Sequence, residues 1–316
     1  MKPFVSIIIP VYNGSNYLQL AIDSALAQAY DNCEVIVIND GSADIGLTES
    51  IAKSFGDKIK YFYKTNGGVA TALNAGIRAA RGDYISWLSH DDLYHPNKIA
   101  RQIAFLSSMP ASNVVVYSDY EAIDANNEFI RNVQLTVADA ADSRQAIVFL
   151  LFKSTVHGCS LLLPKKCFTE VGYFAENLRT TQDYDLWFKL LKNGYEFIHM
   201  PEILISSRLH KEQGTRSLYR IAHKEIEELY VSAIDTFYDD IAKFRIITLM
   251  ELIVDFRYRK LRKTPNHLLR LLKHRNRDMY QQLYERYADQ LSKSRRDMLK
   301  MRALEITTAI RRRLGL

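Results

Sequence analysis

Apolar runs and segments of helical spacing alternate through the first 120 residues. The runs at 4–11 and 34–38 are continuous and rich in β-branched residues, which is typical of strands buried on both faces. Further short strands are predicted at 59–63, 83–88 and 114–117, with helices near 18–26, 47–55, 69–80 and 97–108. This order predicts an α/β fold with a doubly wound, mostly parallel sheet.

Polar turns follow the predicted strands. They are Tyr12-Asn13-Gly14 after the run that contains Pro10, Asn39-Asp40-Gly41-Ser42, Asn66-Gly67-Gly68 and Ser89-His90-Asp91-Asp92. The carboxyl ends of parallel strands share one edge of a sheet, and ligands bind at that edge. We therefore expect these turns to form the functional site.

Asp91 and Asp92 are adjacent carboxylates at the end of a predicted strand. Two such charges repel each other unless a cation or hydrogen-bond donors offset them. A divalent metal is one answer, because hard cations bind carboxylate oxygens and leave positions for substrate phosphates. The alternative is that one of these residues caps the helix that begins near Pro96. The two residues alone leave both readings open.

The pattern is less regular beyond residue 130. We predict a helix at 138–152, a strand at 159–163, a helix starting near Asp183, and two short strands at 196–199 and 203–208. From about residue 219 onward long helical patterns dominate, and Pro265 is the only proline. The predicted domains are therefore a catalytic domain at 1–215 and a basic helical extension at 216–316.

Composition is that of an ordinary soluble globular protein. The 316 residues are 47% hydrophobic and 25% charged, and no apolar run approaches the about 20 residues of a membrane span. The N-terminus has no signal-peptide pattern, and the three cysteines form no CxxC pair. We expect a cytoplasmic protein from a reducing compartment, without structural zinc.

Charge is distributed unevenly. Residues 257–316 carry 18 Lys/Arg and 5 Asp/Glu, which leaves 24 basic and 31 acidic residues before them. A basic helical segment can be a solvated bundle face, a homodimer element, or a patch that binds an anionic membrane surface at the inner face of the membrane. No recognition motif supports nucleic-acid binding.

Five motifs together resemble the family 2 glycosyltransferases, which have the GT-A fold. They are Ser6-Ile7-Ile8-Ile9-Pro10-Val11-Tyr12-Asn13, Asn39-Asp40-Gly41-Ser42, Asn66-Gly67-Gly68 with Asn74-Ala75-Gly76-Ile77, Leu88-Ser89-His90-Asp91-Asp92, and Gln182-Asp183-Tyr184-Asp185-Leu186-Trp187. Each motif alone is common, but their order and spacing are specific. The resemblance covers residues 4–212.

The resemblance implies an inverting transferase of bacterial surface-polysaccharide type. It would use a nucleotide-diphosphate sugar, with a leaning toward UDP, bound Mn²⁺ or Mg²⁺, and a glycan or lipid-linked glycan acceptor. By resemblance, Asp183 is the general base, Asp91 and His210 bind the metal, and Asp40 binds the nucleotide base. The other expected donor-binding residues are Pro10, Tyr12, Asn13, Asn66, Gly67, Asn74, His90, Asp91 and Asp92.

Two positions depart from the family pattern. Ser89 stands where the metal motif usually begins with Asp, so one carboxylate is missing. Leu73 stands where an Arg often precedes Asn74, so a donor-binding cation is missing. Either Arg78, Arg81 or Lys64 replaces it, or the donor pocket differs.

Inversion requires a carboxylate within hydrogen-bond reach of the acceptor hydroxyl, on the face opposite the leaving group. Asp183 would serve, although its position at a helix start also suits an N-cap, and the helix dipole there should lower its pKa.

Three other functions are weaker interpretations. A catalytically degenerate fold that binds sugar nucleotides as an assembly partner is supported by the Ser89 and Leu73 departures. A nucleotidyltransferase would need a Gly-rich basic loop after the first strand, and a dehydrogenase would need Gly-x-Gly-x-x-Gly, which residues 12–16 lack.

Overall fold

The computed structural model describes residues 2–109, 113–138, 140–213 and 218–292. The chain divides into two compact units, one formed by Met1–Val137 with Ser154–Glu225 and the other by Ala138–Lys153 with Ile226–Leu316. The first unit thus continues past the boundary predicted at 215, and the segment before residue 154 belongs to the second unit. Residues 293–316 of the basic segment 257–316 lie outside the described residues.

The main sheet of the first unit has five strands in the order β3-β2-β1-β4-β8. These strands are β1 (Val5–Val11), β2 (Cys33–Asn39), β3 (Lys60–Tyr63), β4 (Tyr84–Trp87) and β8 (Leu163–Pro164). The first four are parallel and β8 is antiparallel to β4. All seven residues of β1 are buried, as expected for the centre of a doubly wound sheet. The predicted α/β architecture is confirmed.

Helices follow the parallel strands of this sheet. They are α1 (Leu18–Leu26), α2 (Leu47–Ser54), α3 (Val69–Ala79) and α4 (Lys98–Ser107). A short α6 (Cys167–Glu170) and α7 (Gln182–Lys192) come later in the same unit. In α1, Leu18, Ala21, Ile22 and Ala25 are buried, as their spacing predicts.

A second sheet of four strands has the order β5-β9-β6-β7. Its strands are β5 (Leu93–Tyr94), β6 (Val114–Ile123), β7 (Phe129–Val133) and β9 (Glu196–Arg208). The strands β5 and β7 were not predicted, because β5 is only two residues long and β7 is largely exposed, so neither has a clear apolar pattern.

Two predicted strands have a different form. The separate strands at 196–199 and 203–208 are one strand, β9, in which the register against β6 jumps from Met200 to Ile203. The skipped residues include Pro201, which has no N–H to donate to a neighbouring strand. The segment 159–163 begins with a 3₁₀ turn, Gly158–Ser160, which the His157 side chain caps.

The second unit is helical. It contains α5 (Ser143–Phe152), most of α8 (Tyr219–Thr236), α9 (Tyr238–Ile241), α10 (Ile246–Tyr258), α11 (Lys263–Arg275) and α12 (Arg277–Ser292). In its core the Phe152 ring packs edge to face against Tyr230 and Phe256, and the Tyr230 and Phe256 rings are tilted against each other, with centroids 5.0–6.0 Å apart. Among the described helices, none combines the length and the apolar character needed to cross a bilayer.

Candidate active site

The turn after β4 and the segment after β9 meet at Asp91 and His210. Strand β5 pairs antiparallel with β9, with Leu93 opposite Ser206, so the residues before β5 lie beside those after β9. Asp91 Oδ2 is 2.9 Å from His210 Nε2. Burial would raise the pKa of Asp91, but the charge of nearby His90 and the hydrogen bond from His210 outweigh it, and the pKa is lowered. These two predicted metal ligands therefore converge on one point.

Asp92 faces the interior, in contrast to Asp91. Its Oδ1 accepts a hydrogen bond from the Arg208 backbone N–H at 2.9 Å, and its Oδ2 accepts one from the Cys159 thiol at 3.4 Å. Burial, with the nearby charge of Asp91, raises its pKa. The side chain is 4% exposed, so in this structure it holds the end of β9 in place.

Arg208 lies next to Asp91 and Asp92, and no sequence motif marks it. Its side chain is fully buried, with Nε donating to the Asp91 carbonyl at 2.8 Å and Nη1 to the Asp124 carbonyl at 3.0 Å. The guanidinium also lies 4.4 Å from the centre of the Tyr17 ring. The guanidinium therefore lies next to Asp91, and its hydrogen bond to the Asp91 carbonyl fixes the backbone of that residue.

His157 connects the Asp92 corner to Asp183. Its Nε2 lies 3.6 Å from Asp92 Oδ2 and 3.1 Å from Ser207 Oγ. The ring also interacts electrostatically with Asp183. The next residue along α7, Tyr184, donates its hydroxyl to the Val156 carbonyl at 2.9 Å, which fixes the start of α7 beside His157.

Asp183 is partly buried in the first turn of α7 but does not cap the helix. The N-cap residue is Thr181, and Asp183 Oδ1 accepts a hydrogen bond from the Tyr184 N–H at 2.9 Å. Burial raises the pKa of Asp183 to about 6, despite that hydrogen bond. The expected lowering by the helix dipole is therefore wrong, because desolvation is the stronger effect at this position.

Asp40 anchors the Asn66-Gly67-Gly68 turn. Its carboxylate accepts hydrogen bonds from Gly67 N at 3.1 Å, Gly68 N at 2.7 Å and Lys64 Nζ at 2.5 Å. Gly68 has φ +92°, a conformation that favours glycine. The carboxylate is 4% exposed, and its hydrogen bonds fix the backbone of the expected donor loop from the buried side.

Three further predicted donor residues lie at the end of β1. Pro10 is buried and pairs with Ile38 of β2, whereas Tyr12 is exposed at the sheet edge. Asn13, with φ +50°, joins the two neighbouring turns. Its N–H donates to Ser42 Oγ at 2.9 Å, and its Oδ1 accepts from Ala43 N at 2.7 Å.

The remaining predicted donor residues differ in exposure. Asn66 is exposed in its turn. Asn74 is buried, and its amide accepts from Phe174 N at 3.0 Å and donates to Phe174 O at 2.9 Å. The His90 ring packs on Gly14, where a Cβ would lie 2.4 Å from His90 Cδ2, and burial lowers the pKa of His90. Asn74 therefore holds the backbone at Phe174, in the segment that leads to Asp183. The His90 ring packs against the turn at Gly14.

Arg179 lies at the predicted donor loop, and the sequence reading missed it. Its Nε is 3.7 Å from the position that a Cβ on Gly68 would take. The three cations expected to replace the missing Arg have other partners. Lys64 pairs with Asp40, Arg81 Nε lies 3.3 Å from Glu34 Oε2, and Arg78 lies 4.6 Å from the centre of the Tyr173 ring.

Glu225 fixes the loop that carries Arg179. Its carboxylate accepts hydrogen bonds from Arg179 N at 2.8 Å, Thr180 N at 2.9 Å, Thr180 Oγ1 at 2.7 Å and Thr181 Oγ1 at 3.3 Å. Burial would raise the pKa of Glu225, but these donors lower it. No sequence motif marks Glu225, because its role appears only when the loop is folded against α8.

Within the part of the chain that the structure describes, two groups of residues are candidates for binding a metal. Asp92, His157 and Cys159 place one ligand atom each within 4.8 Å of one another. However, His157 Nδ1 accepts a hydrogen bond from Cys159 N at 3.2 Å, so the ring proton is on Nε2 and that nitrogen has no lone pair to offer. Burial also keeps the Cys159 thiol protonated by raising its pKa. The Asp91 carboxylate suits Mn²⁺ or Mg²⁺ supported by phosphate oxygens. His210 Nε2 carries the proton of its hydrogen bond to Asp91 Oδ2 here, so the imidazole would bind an ion through Nδ1 or after loss of that proton.

Comparison with known proteins identifies the class to which this fold and site belong. The family model described as glycosyl transferase family 2 matches residues 6–163. The chain belongs to this family of glycosyltransferases.

Two relatives illustrate the similarity in sequence. An uncharacterized glycosyltransferase of Rickettsia bellii strain RML369-C is 51% identical over 223 residues, which are 71% of this chain and 32% of the relative. The chain thus spans about a third of that protein. TuaG of Bacillus subtilis strain 168, a glycosyltransferase assigned to teichuronic acid biosynthesis, is 28% identical over 72% of this chain and 90% of its own.

Two solved structures share the fold. S. aureus TarS in complex with UDP-GlcNAc has a TM-score of 0.58 at 16% identity and covers 90% of this chain and 92% of its own. The Pyrobaculum calidifontis mannosyltransferase PcManGT, in complex with GDP-Man and Mn²⁺, has a TM-score of 0.58 at 19% identity. The match covers 98% of this chain and 87% of the mannosyltransferase chain. At these identities the likeness establishes the fold, which is the predicted GT-A type.

Proposed function

We propose that the chain transfers a sugar from a nucleotide diphosphate to an acceptor hydroxyl with inversion, with Asp183 as the general base. The observation that carries the proposal is the position and state of Asp183. The His157 ring interacts electrostatically with Asp183 and lies 3.6 Å from Asp92 Oδ2, and the neighbouring Asp91 pairs with His210. A carboxylate with a pKa of about 6 is ionised at neutral pH and still basic enough to take a proton.

The chemical step is a displacement at the anomeric carbon. The acceptor oxygen forms a bond to that carbon as the bond to the diphosphate oxygen breaks. The hydroxyl proton passes to an Asp183 carboxylate oxygen, and the nucleotide diphosphate leaves with the bonding electron pair. Asp183 must then face the acceptor, while groups on the opposite side hold the diphosphate.

The donor is proposed to bind along the turns at the carboxyl edge of the main sheet. The exposed Tyr12 and the Asn13 turn would line the nucleotide pocket, and Asp40 would shape the Asn66-Gly67 backbone that faces it. Arg179 would supply the cation that the family pattern places before Asn74, because it lies at Gly68. UDP is the favoured nucleotide, in keeping with the UDP-GlcNAc bound to TarS.

Asp91 and His210 are proposed to hold Mn²⁺ or Mg²⁺. When bound, the ion would neutralise charge on the diphosphate as a Lewis acid. Ser89 adds no charge to this set, and its N–H lies 3.2 Å and its Oγ 3.3 Å from Cys159 Sγ. The donor phosphates would therefore supply more of the coordination than in a site with a second carboxylate.

The acceptor is proposed to be a glycan or lipid-linked glycan of a bacterial surface polysaccharide, reached from the cytoplasmic side. The expected homodimer and the membrane contact of residues 257–316 belong to the same proposal. It is supported by TuaG among the relatives and by the excess of basic residues in that segment.

A panel of nucleotide sugars tests the proposal directly. Each would be added with and without Mn²⁺, and both the thermal unfolding midpoint and nucleotide diphosphate release would be measured. We expect one class of UDP-sugar to raise the midpoint in the presence of Mn²⁺ and to be turned over. Stabilisation without any turnover, with every acceptor glycan tried, would instead favour the degenerate binding protein.

A further inference from the structure

The second unit contains a cavity that the proposed glycosyl transfer does not use. Its volume is about 710 Å³, which falls within the about 300–1,000 Å³ of small-molecule sites. It is lined by Val231, Arg262, Lys263, Asn266, His267, Leu269, Arg270, Lys273, Tyr280 and Tyr284.

Most of the polar lining comes from one face of α11. Lys263, Asn266, His267 and Arg270 follow each other at spacings of three, one and three residues, and Lys273 comes three residues later. Residues at such spacings project from the same side of a helix. One side of a single helix therefore supplies five of the residues that line the cavity.

The cavity is strongly cationic. Arg262, Lys263, Arg270 and Lys273 line it, and no acidic residue does. Within residues 2–292 as described, none of these four side chains pairs with a carboxylate. Arg270 Nε donates only to the Asn266 carbonyl, at 3.3 Å. Like charges this close repel each other, and an anion would remove that repulsion.

Two lining residues contact a carboxylate: His267 through its ring, and Lys263 through its backbone N–H, which donates to Glu227 Oε1. His267 Nε2 lies 2.8 Å from Asp235 Oδ1. Neither contact pairs a carboxylate with the side chain of one of the four cations among the described residues.

Two tyrosines give the cavity an aromatic wall. The ring centroids of Tyr280 and Tyr284 are 4.7 Å apart, at an angle of 40°. Adjacent aromatic faces suit a flat or partly apolar group, such as a sugar ring, next to the charged part of a ligand.

We propose that this cavity binds a phosphorylated ligand, with its phosphate oxygens on Arg262, Lys263, Arg270 and Lys273 and the attached group against Tyr280 and Tyr284. Guanidinium and ammonium groups are the side chains that recognise phosphate, the first by paired hydrogen bonds and the second as a point charge. The phosphate could belong to a free phosphorylated glycan or to a lipid headgroup. The proposal does not depend on the glycosyl-transfer activity.

Calorimetric titration of the full chain with inorganic pyrophosphate is the first test, performed without divalent cations. The variant is Arg270→Gln with Lys273→Gln. The control is Lys243→Gln with Arg286→Gln, which removes the same charge from exposed positions outside the cavity. We expect the cavity variant to bind at least about tenfold more weakly, because two charge-assisted hydrogen bonds are lost, and the control to bind as the wild type does.

A second arm identifies the source of the phosphate. Vesicles of phosphatidylcholine with and without phosphatidylglycerol are sedimented with each variant, with pyrophosphate as competitor. Binding to the anionic vesicles that pyrophosphate and the cavity variant both abolish indicates a lipid headgroup. Pyrophosphate binding without vesicle binding indicates a free phosphorylated ligand.

Three results would overturn the proposal: no pyrophosphate binding by the wild type, equal weakening in the cavity and control variants, or vesicle binding that the cavity substitutions leave unchanged. Thermal unfolding of each variant shows whether it is folded. If the first cavity variant is not, Arg262→Gln with Lys273→Gln replaces it in both arms.

Discussion

Glu225 binds Thr180 twice, through the backbone N–H at 2.9 Å and through the hydroxyl at 2.7 Å. Thr180 lies three residues before Asp183, so this carboxylate fixes the loop from which the proposed base projects. We expect Glu225→Ala to lower kcat about tenfold or more, because a base misplaced by about 1 Å can cost that much or more.

The conservative variant separates positioning from general loss of stability. Glu225→Gln keeps one oxygen that can accept from Thr180, so we expect it to recover part of the kcat. Because the other carboxylate oxygen accepts from Arg179 N, the donor KM of Glu225→Gln should also rise, but less than that of Glu225→Ala. If Glu225→Ala has wild-type kcat, or if Glu225→Gln is no better than Glu225→Ala, the positioning role is wrong.

Arg179 is proposed to contact the donor diphosphate. Arg179→Ala should raise the donor KM about tenfold or more, because it removes a charge-assisted hydrogen bond worth about 1.5–3 kcal/mol. Arg78→Ala is the matched control, since Arg78 lies over the Tyr173 ring. That variant should leave the donor KM unchanged. Equal effects of the two substitutions on KM would remove Arg179 from the donor site.

The raised pKa of Asp183 predicts a pH profile. An acid with a pKa of about 6 is protonated below that pH and cannot accept the hydroxyl proton. The value of kcat/KM should therefore rise with pH through about 6 and level off about one unit higher. A profile that is flat between about pH 5 and 8 would indicate that the base has the ordinary pKa of an aspartate.

Metal dependence tests the Asp91–His210 pair. Chelation by EDTA should abolish turnover, and added Mn²⁺ should restore it. Asp91→Asn should need a much higher Mn²⁺ concentration, because it removes the negative charge that attracts the cation. Asp92→Asn is the informative comparison, since Asp92 contacts Arg208 N and Cys159 Sγ instead. Should Asp92→Asn shift the Mn²⁺ requirement more than Asp91→Asn, the ligand assignment is wrong.

The sequence was sufficient for the main sheet. Strands β1 and β2 are continuous apolar runs, and their burial follows from composition alone. The form of β9 was not predictable in the same way, because Pro201 interrupts the pattern and only pairing with β6 shows that the strand continues past it.

The sequence named candidate site residues but not their states. The motifs indicated Asp91 and Asp183, and the family resemblance added His210; their roles stay predictions. The raised pKa of Asp183 depends on burial by residues distant in sequence, and it outweighs the helix dipole that sequence position suggested. Glu225, Arg179 and Arg208 carry no motif, since each acts through contacts that exist only after folding.

The most direct test of the account is donor turnover by Asp183→Asn in the presence of Mn²⁺ and acceptor. We expect kcat to fall about 10²–10⁴-fold, the usual contribution of a general base, while donor and Mn²⁺ still raise the thermal unfolding midpoint. The substitution should not unfold the protein, because a neutral amide replaces a carboxylate whose charge burial disfavours. Turnover within about threefold of wild type in a variant that binds donor normally would contradict the assignment of Asp183 as the base.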